Sequence, residues 1–262
     1  MRRVIFNQKG GVGKSSITVN LAAISAAQGK RTLVVDLDPQ CNASQYLLGE
    51  AAEFSRDKTE LTPNIGQFFG QTLQFSLKEK PISEYVHKTP HENLHVIPSN
   101  PELSAIENLL QSKHKIFKLA AALKSLEGSY DAIYIDTPPA FNFYTLSALI
   151  AAQRCLIPFD CGAFSRRAID TVLENVGEIR ADHNQELEIE GIVVNQFQPR
   201  ASLPVKLVDE MRAEGLPIMS SHLSSSVIMK ESHEKALPLI HLAPKHKLTE
   251  EYVALFAELN PV

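Results

Sequence analysis

Residues 9 to 16, Lys9-Gly10-Gly11-Val12-Gly13-Lys14-Ser15-Ser16, constrain this chain more tightly than any other stretch. Arg3-Val4-Ile5-Phe6 before them reads as a short buried strand, and Ile17-Thr18-Val19-Asn20-Leu21-Ala22-Ala23 after them as a helix with an apolar face. Strand, glycine loop and helix in that order form the setting of a phosphate-binding loop. Gly10, Gly11 and Gly13 let the backbone bend and approach phosphates, while the amides there and at the helix start point at anionic oxygens. Lys14 is placed to reach the β- and γ-phosphates, and the Ser15 hydroxyl to enter a Mg²⁺ shell. Two departures stand out. Gln8 replaces the first glycine of the usual pattern, and Lys9 is a second lysine where one suffices.

The remaining apolar runs fit the same architecture. Strands are expected at about residues 2 to 7, 31 to 35, 94 to 98, 131 to 136, 154 to 158 and 190 to 195, alternating with helical stretches. This order predicts an α/β fold, a single-domain P-loop NTPase with a mostly parallel twisted sheet and helices on both faces. With 262 residues, 44% hydrophobic and 21% charged, the chain can bury its own core. Residues 1 to 262 are read as one domain with a variable excursion at about 50 to 93, which holds helical pieces such as Ile65-Gly66-Gln67-Phe68-Phe69. Because the loop begins at residue 9, an N-terminal helix-turn-helix domain is not expected. Carboxylates at the C-terminal ends of parallel strands face the ligand crevice. Asp36 and Asp38 follow the second strand, and Asp136 ends the strand Ala132-Ile133-Tyr134-Ile135 in a Walker B pattern, where it is expected to hold Mg²⁺ through water. Ile192-Val193-Val194-Asn195 leads into Gln196-Phe197-Gln198 rather than the Asn-Lys-x-Asp of a guanine site, which favours ATP.

With Lys9 at its start, the glycine loop matches the deviant Walker A motif, and the chain resembles the ParA/MinD family of P-loop ATPases, within it the ParA-type branch. Asp36-Leu37-Asp38-Pro39-Gln40 and Asp136-Thr137-Pro138-Pro139 carry the resemblance further. It implies that ATP and Mg²⁺ bind along Lys9 to Ser16, including Val12 and Ser16, with Asn195 and Pro199 at the adenine. It implies that Ser15, Asp36 and Asp136 serve the metal, and that Lys9, Lys14 and Asp38 act in catalysis, Asp38 orienting the attacking water. Lys9 would cross the interface of an ATP-state homodimer to the partner's nucleotide, linking nucleotide state to dimerisation. The resemblance also implies slow basal hydrolysis, stimulated by a ParB-like or adaptor protein.

What the ATP dimer binds separates three readings. A ParA-type protein binds DNA without sequence preference and positions a plasmid, chromosome or protein assembly from the nucleoid. A MinD-like protein binds membrane through a C-terminal amphipathic helix, and a third branch includes small-molecule ligases such as dethiobiotin synthetase. The C-terminal helix, with Leu248, Val253, Leu255, Phe256 and Leu259, carries Glu250, Glu251 and Glu258 where an anchor needs cations. It is expected to pack on the body with a solvated acidic face, and no membrane anchor is expected. The 26 Lys and Arg against 30 Asp and Glu give a net charge of −4, yet phosphate binding depends on local charge, and a dimer pools patches. Arg200, Lys206, Lys230, Lys235, Lys245 and Lys247 are the candidate DNA contacts, although Ser224-Ser225-Ser226 stands where relatives often carry an arginine. Cys41, Cys155 and Cys161 form no C-x-x-C pair, which weighs against iron–sulfur relatives. With no secretory leader or spanning apolar run, the expectation is a cytoplasmic protein.

Overall fold

Every central strand alternates between two hydrophobic cores, so the sheet is covered on both sides. Val4 and Phe6, Leu33 and Val35, Ile133 and Ile135, Cys155 and Ile157, and Ile192 and Val194 enter one core. Ile5, Val34, Tyr134, Leu156 and Val193 enter the other. Strands buried on both faces read as unbroken Val, Ile and Leu runs, the pattern of a parallel sheet.

The computed structural model describes residues 1–49, 63–73, 79–161, 165–198 and 202–261. Its strands are β1 (Arg2–Ile5), β2 (Thr32–Asp36), β3 (His87–Lys88), β4 (Leu94–Ile97), β5 (Ala132–Asp136), β6 (Arg154–Asp160) and β7 (Glu188–Asn195). They form one sheet in the order β3-β4-β2-β5-β1-β6-β7, parallel throughout except for the β3–β4 pair. The helices are α1 (Lys14–Ala27), α2 (Asn42–Leu48), α3 (Ile65–Gln71), α4 (Leu103–Ser112), α5 (Lys118–Lys124), α6 (Phe143–Ala151), α7 (Ser165–Asp182), α8 (Ser202–Ala213), α9 (Val227–Glu234), α10 (Leu239–Leu242) and α11 (Lys247–Leu259). Helices α1, α2, α10 and α11 contribute to one core and α3 to α8 to the other.

All six expected strands are present, with ends shifted by a few residues. The short β3 is the exception. Its two residues, His87 and Lys88, give no apolar run to read, and they pair antiparallel to β4. Of the expected excursion, residues 50–62 and 74–78 lie outside the described residues; α3, a 3₁₀ turn at Ile82–Tyr85 and β3 occupy the rest. Among the described residues, no helix is long and apolar enough to cross a membrane.

The last helix corrects one expectation. Leu248, Leu255, Phe256 and Leu259 are buried, but the acidic side is not simply solvated. Glu258 accepts the backbone N–H groups of Ser220 (2.7 Å) and Ser221 (2.9 Å), and Glu251 accepts the N–H and hydroxyl of Ser224, both at 2.7 Å. These carboxylates tie the 220–224 loop to α11 through its backbone N–H groups.

A buried ion pair locks β1 to β7. The β6–β7 register skips a residue between Cys155 and Leu156, and Glu190, opposite that irregularity, reaches Arg3. The Arg3 guanidinium meets both Glu190 oxygens at 2.5 and 2.6 Å, the Tyr134 hydroxyl at 3.1 Å and the Leu259 carbonyl at 3.2 Å. Glu190→Gln should destabilise the protein by about 3 kcal/mol in urea melts, because it strands a buried cation, whereas Arg3→Met with Glu190→Leu together should cost less.

Candidate nucleotide-binding site

The C-terminal ends of β1, β5 and β2 lie side by side, with Ile5 paired to Asp136 and Asp136 to Asp36. The glycine loop leaves β1 at this edge and feeds α1, so backbone amides and carboxylates meet at one crevice. A cavity of about 660 Å³ opens there, lined by Gly10, Gly11, Gly13, Lys14, Ser15 and Ser16 on one side, Asp38, Gln40 and Tyr46 on another, and Asn195, Gln196, Ser224 to Ser226, Met229, Lys230 and His233 on a third. Its volume lies within the range of small-molecule sites.

The loop is held from several directions. Gly13, at the N-terminal cap of α1, sits in the left-handed region with φ 89°, and a Cβ there would collide with the Asn195 side-chain amide. That amide donates to the Val12 carbonyl at 2.9 Å, and the Gln196 amide donates to the Gly11 carbonyl at 2.9 Å. Asn195, expected at the adenine, thus braces the loop from the end of β7 while also lining the cavity. Thr18 donates to the Lys14 carbonyl at 2.9 Å and to Asp136 Oδ1 at 3.3 Å, joining α1 to the end of β5.

Charges in the crevice are arranged unequally. Lys14 is buried and donates to the Lys9 carbonyl at 3.0 Å. Burial lowers its pKa, opposed by Asp136 and Asp38. Asp36 is consumed by its own turn: Oδ1 accepts the Asp38 N–H at 3.0 Å, and Oδ2 accepts the Ser44 N–H at 2.8 Å and hydroxyl at 2.7 Å. Desolvation nevertheless pushes its pKa up to about 6. Asp136 is raised well above the usual carboxylate range by burial and by neighbouring Asp36, only partly offset by Ser15 and Lys14. Its Oδ2 is buried without a hydrogen-bond partner. Asp38 lines the cavity, is raised by burial, and accepts the Gln40 N–H at 3.0 Å.

An unpartnered carboxylate oxygen in so electronegative a crevice is the fit a divalent cation requires. Asp136 and Ser15 are the residues that would hold Mg²⁺, with phosphate oxygens and water completing its shell. Asp36, also expected in the metal shell, accepts the Asp38 N–H and both donors of Ser44 in the turn that leads to Asp38.

Several lining residues had no sequence signal of their own. His233 lies with Nε2 at 2.9 Å from Ser16 Oγ and its ring in a T-shaped contact with Tyr46. Lys230, named as a candidate DNA contact, is exposed and lines this cavity, as do the three serines at 224 to 226. These groups arrive from α9 and the loop before it, more than 200 residues from the glycine loop, and only the fold brings them together. Pro199 and Arg200 lie outside the described residues. Lys206, Lys235 and Lys247 pair with Glu210, Glu231 and Glu251 at 3.7, 2.7 and 3.5 Å, and Lys245 is exposed between α10 and α11.

The sequence compares with known proteins along nearly all of its length. Residues 3–189 match the model of a family described as an AAA domain. The chromosome partitioning protein ParA of Myxococcus xanthus is 34% identical over 257 residues, covering 97% of this chain and 86% of the relative. The chain belongs to the ParA/MinD family of P-loop ATPases. Among solved structures, apo McdA from Cyanothece superposes with a TM-score of 0.83 at 21% identity, covering 99% of each chain. Cobyrinic acid a,c-diamide synthase from Mycobacterium smegmatis, solved with an ATP analogue and magnesium, reaches 0.81 at 22% identity over 99% of this chain and 95% of that one. These two likenesses show the family fold, while the ParA relative places the sequence itself within the family.

Two outcomes follow from the geometry. Gly13→Ala should cost about 2 kcal/mol or more in urea melts, from a left-handed Cβ alone, and weaken nucleotide binding more than tenfold by calorimetry. A carboxyl whose pKa is raised on folding penalises the folded state as pH climbs from its unfolded value, about 4, towards its folded one, about 6 for Asp36. The nucleotide-free protein should therefore lose stability across that window through the Asp36–Asp136 pair, and Asp136→Asn should flatten the slope of urea midpoint against pH.

Proposed function

We propose that this chain is an ATP- and Mg²⁺-dependent partition or positioning ATPase that dimerises in the ATP state, binds DNA without sequence preference as a dimer, and is released by hydrolysis. The observation that carries the reading is the divergence of the two loop lysines. Lys14 lines the nucleotide cavity, whereas the Lys9 amine sits on Asp160 at the end of β6 and does not line that cavity. One lysine is committed to the subunit's own phosphates; the other is left for a second subunit's nucleotide.

In this reading Lys14 and the loop amides draw charge from the β- and γ-phosphates. Asp38, held over the cavity by the turn that Asp36 fixes, orients the attacking water. Mg²⁺, when bound, neutralises phosphate charge and polarises the reacting phosphoryl group. A ParB-like or adaptor protein accelerates the step, and the protein works in the cytoplasm, on the nucleoid, as a single ATPase domain. The partitioning relative at 34% identity over 97% of the chain supports this over a small-molecule ligase. The apolar side of α11 is buried, which speaks against that helix serving as a membrane anchor. For DNA, the exposed cations that pair with glutamates one turn away are held weakly and can exchange those partners for phosphates with counterion release.

Three variants separate the parts. Lys14→Ala should abolish nucleotide binding measured by fluorescent ATP analogue. Lys9→Ala should keep binding but lose ATP-dependent dimers in light scattering, and Asp38→Ala should accumulate an ATP dimer on DNA. Equal DNA affinity with ADP and ATP in a salt titration would remove the nucleotide switch, and normal dimers of Lys9→Ala would remove the cross-subunit lysine.

A further inference from the structure

Lys9 is restrained twice over within its own subunit. Its Nζ meets both Asp160 oxygens, at 2.6 and 2.9 Å. Its backbone N–H donates to Asn7 Oδ1 at 2.9 Å, and the Asn7 amide donates to the Pro158 carbonyl at 2.7 Å. The end of β6 therefore holds the start of the loop by main chain and side chain together. The ion pair is neither core nor fully wet, with side-chain exposures of 36% for Lys9 and 23% for Asp160. Meanwhile the Lys9 carbonyl accepts Lys14 Nζ, so both loop lysines rest on groups of the protein.

A lysine gripped by both oxygens of one carboxylate cannot at the same time serve a phosphate across an interface. We propose that Asp160 is a positioning residue that latches Lys9 in cis, and that the Lys9–Asp160 pair must open before two nucleotide-loaded subunits can close. The proposal rests on the dimerising reading above and names the contact that competes with it. Phosphates that draw Lys14 off the Lys9 carbonyl loosen the same stretch of loop, so nucleotide loading and latch opening are mechanically adjacent. Asn7 keeps the backbone in place while the side chain swings, which lets Lys9 leave Asp160 without unravelling the loop.

The latch and a purely structural role predict opposite signs. If Asp160 only shaped the loop, removing its charge would weaken the dimer or leave it unchanged. If it is a latch, removal strengthens the dimer. A part-exposed pair of this kind favours its closed form by about threefold. Because a dimer opens two of them, the dimer dissociation constant should fall about tenfold or more when the latch is removed.

The test uses the full chain with Mg²⁺ and a slowly hydrolysed ATP analogue, followed by sedimentation across protein concentration. Asp160→Asn and Asp160→Ser should dimerise at about tenfold lower concentration than the unaltered protein, Asp160→Glu should match the unaltered protein, and all should stay monomeric with ADP. In the Lys9→Ala background Asp160→Asn should restore no dimer, since the latch acts only through the lysine, and a restored dimer would overturn it. Thermal melts identify any variant that misfolds, and the serine variant carries the test if the asparagine variant does. Unchanged or weaker dimers in the folded Asp160 variants, with ATP-dependent dimers in the unaltered protein, overturn the latch alone. A monomeric unaltered protein under the same conditions overturns the dimerising reading and the latch with it.

Discussion

The nucleotide site depends on a contact with no room to spare: the α-carbon of Gly13 lies against the Asn195 amide. That contact brings the first strand's loop onto the end of the seventh strand, although β1 and β7 are separated by β6 in the sheet. The left-handed turn at Gly13 starts α1 at the crevice and aims the helix's free N–H groups at it. Without the close approach, the Asn195 bond to Val12 and the Gln196 bond to Gly11 would have no loop to brace. The phosphate cradle is thus a property of three adjacent strands, β1, β6 and β7, and not of the loop alone.

Around that cradle the crevice stores electrostatic frustration. Two carboxylates, Asp36 and Asp136, are register neighbours and both are fully buried. Asp36 is relieved by three hydrogen bonds within its turn, and Asp136 keeps an unpartnered oxygen. Lys14 answers Asp136 only at a distance, with its amine on a loop carbonyl. Such an arrangement gains stability when a cation and a polyanion arrive together, because each removes a charge the folded chain cannot satisfy alone.

Much of this was legible in the sequence because it is local. The glycine loop, the flanking strand and helix, and the aspartates at strand ends are each written within a few residues, and the two-faced burial of the sheet follows from unbroken Val, Ile and Leu runs. The rest depends on residues far apart in the chain. His233 reaches Ser16 only because α9 folds over the loop; Lys230 lines the cavity for the same reason. Asp160 meets Lys9 because β6 lies beside β1, and nothing in the string Phe159-Asp160-Cys161 marks that carboxylate. Glutamates on the last helix looked like a solvent face because their partners are backbone N–H groups, which every loop possesses and no composition reveals.

Those glutamates have a consequence for the order in which the protein comes into being. Ser224 forms part of the cavity wall and is held by Glu251, while Arg3 in the first strand ends on the carbonyl of Leu259 in the last helix. During synthesis the phosphate loop leaves the ribosome long before α11 (Lys247–Leu259), and the wall facing it is anchored only after that helix has emerged. A nascent chain therefore carries an open loop without a finished pocket, and its grip on nucleotide matures only once α11 has been made and has folded back onto β1 and the Ser224 loop.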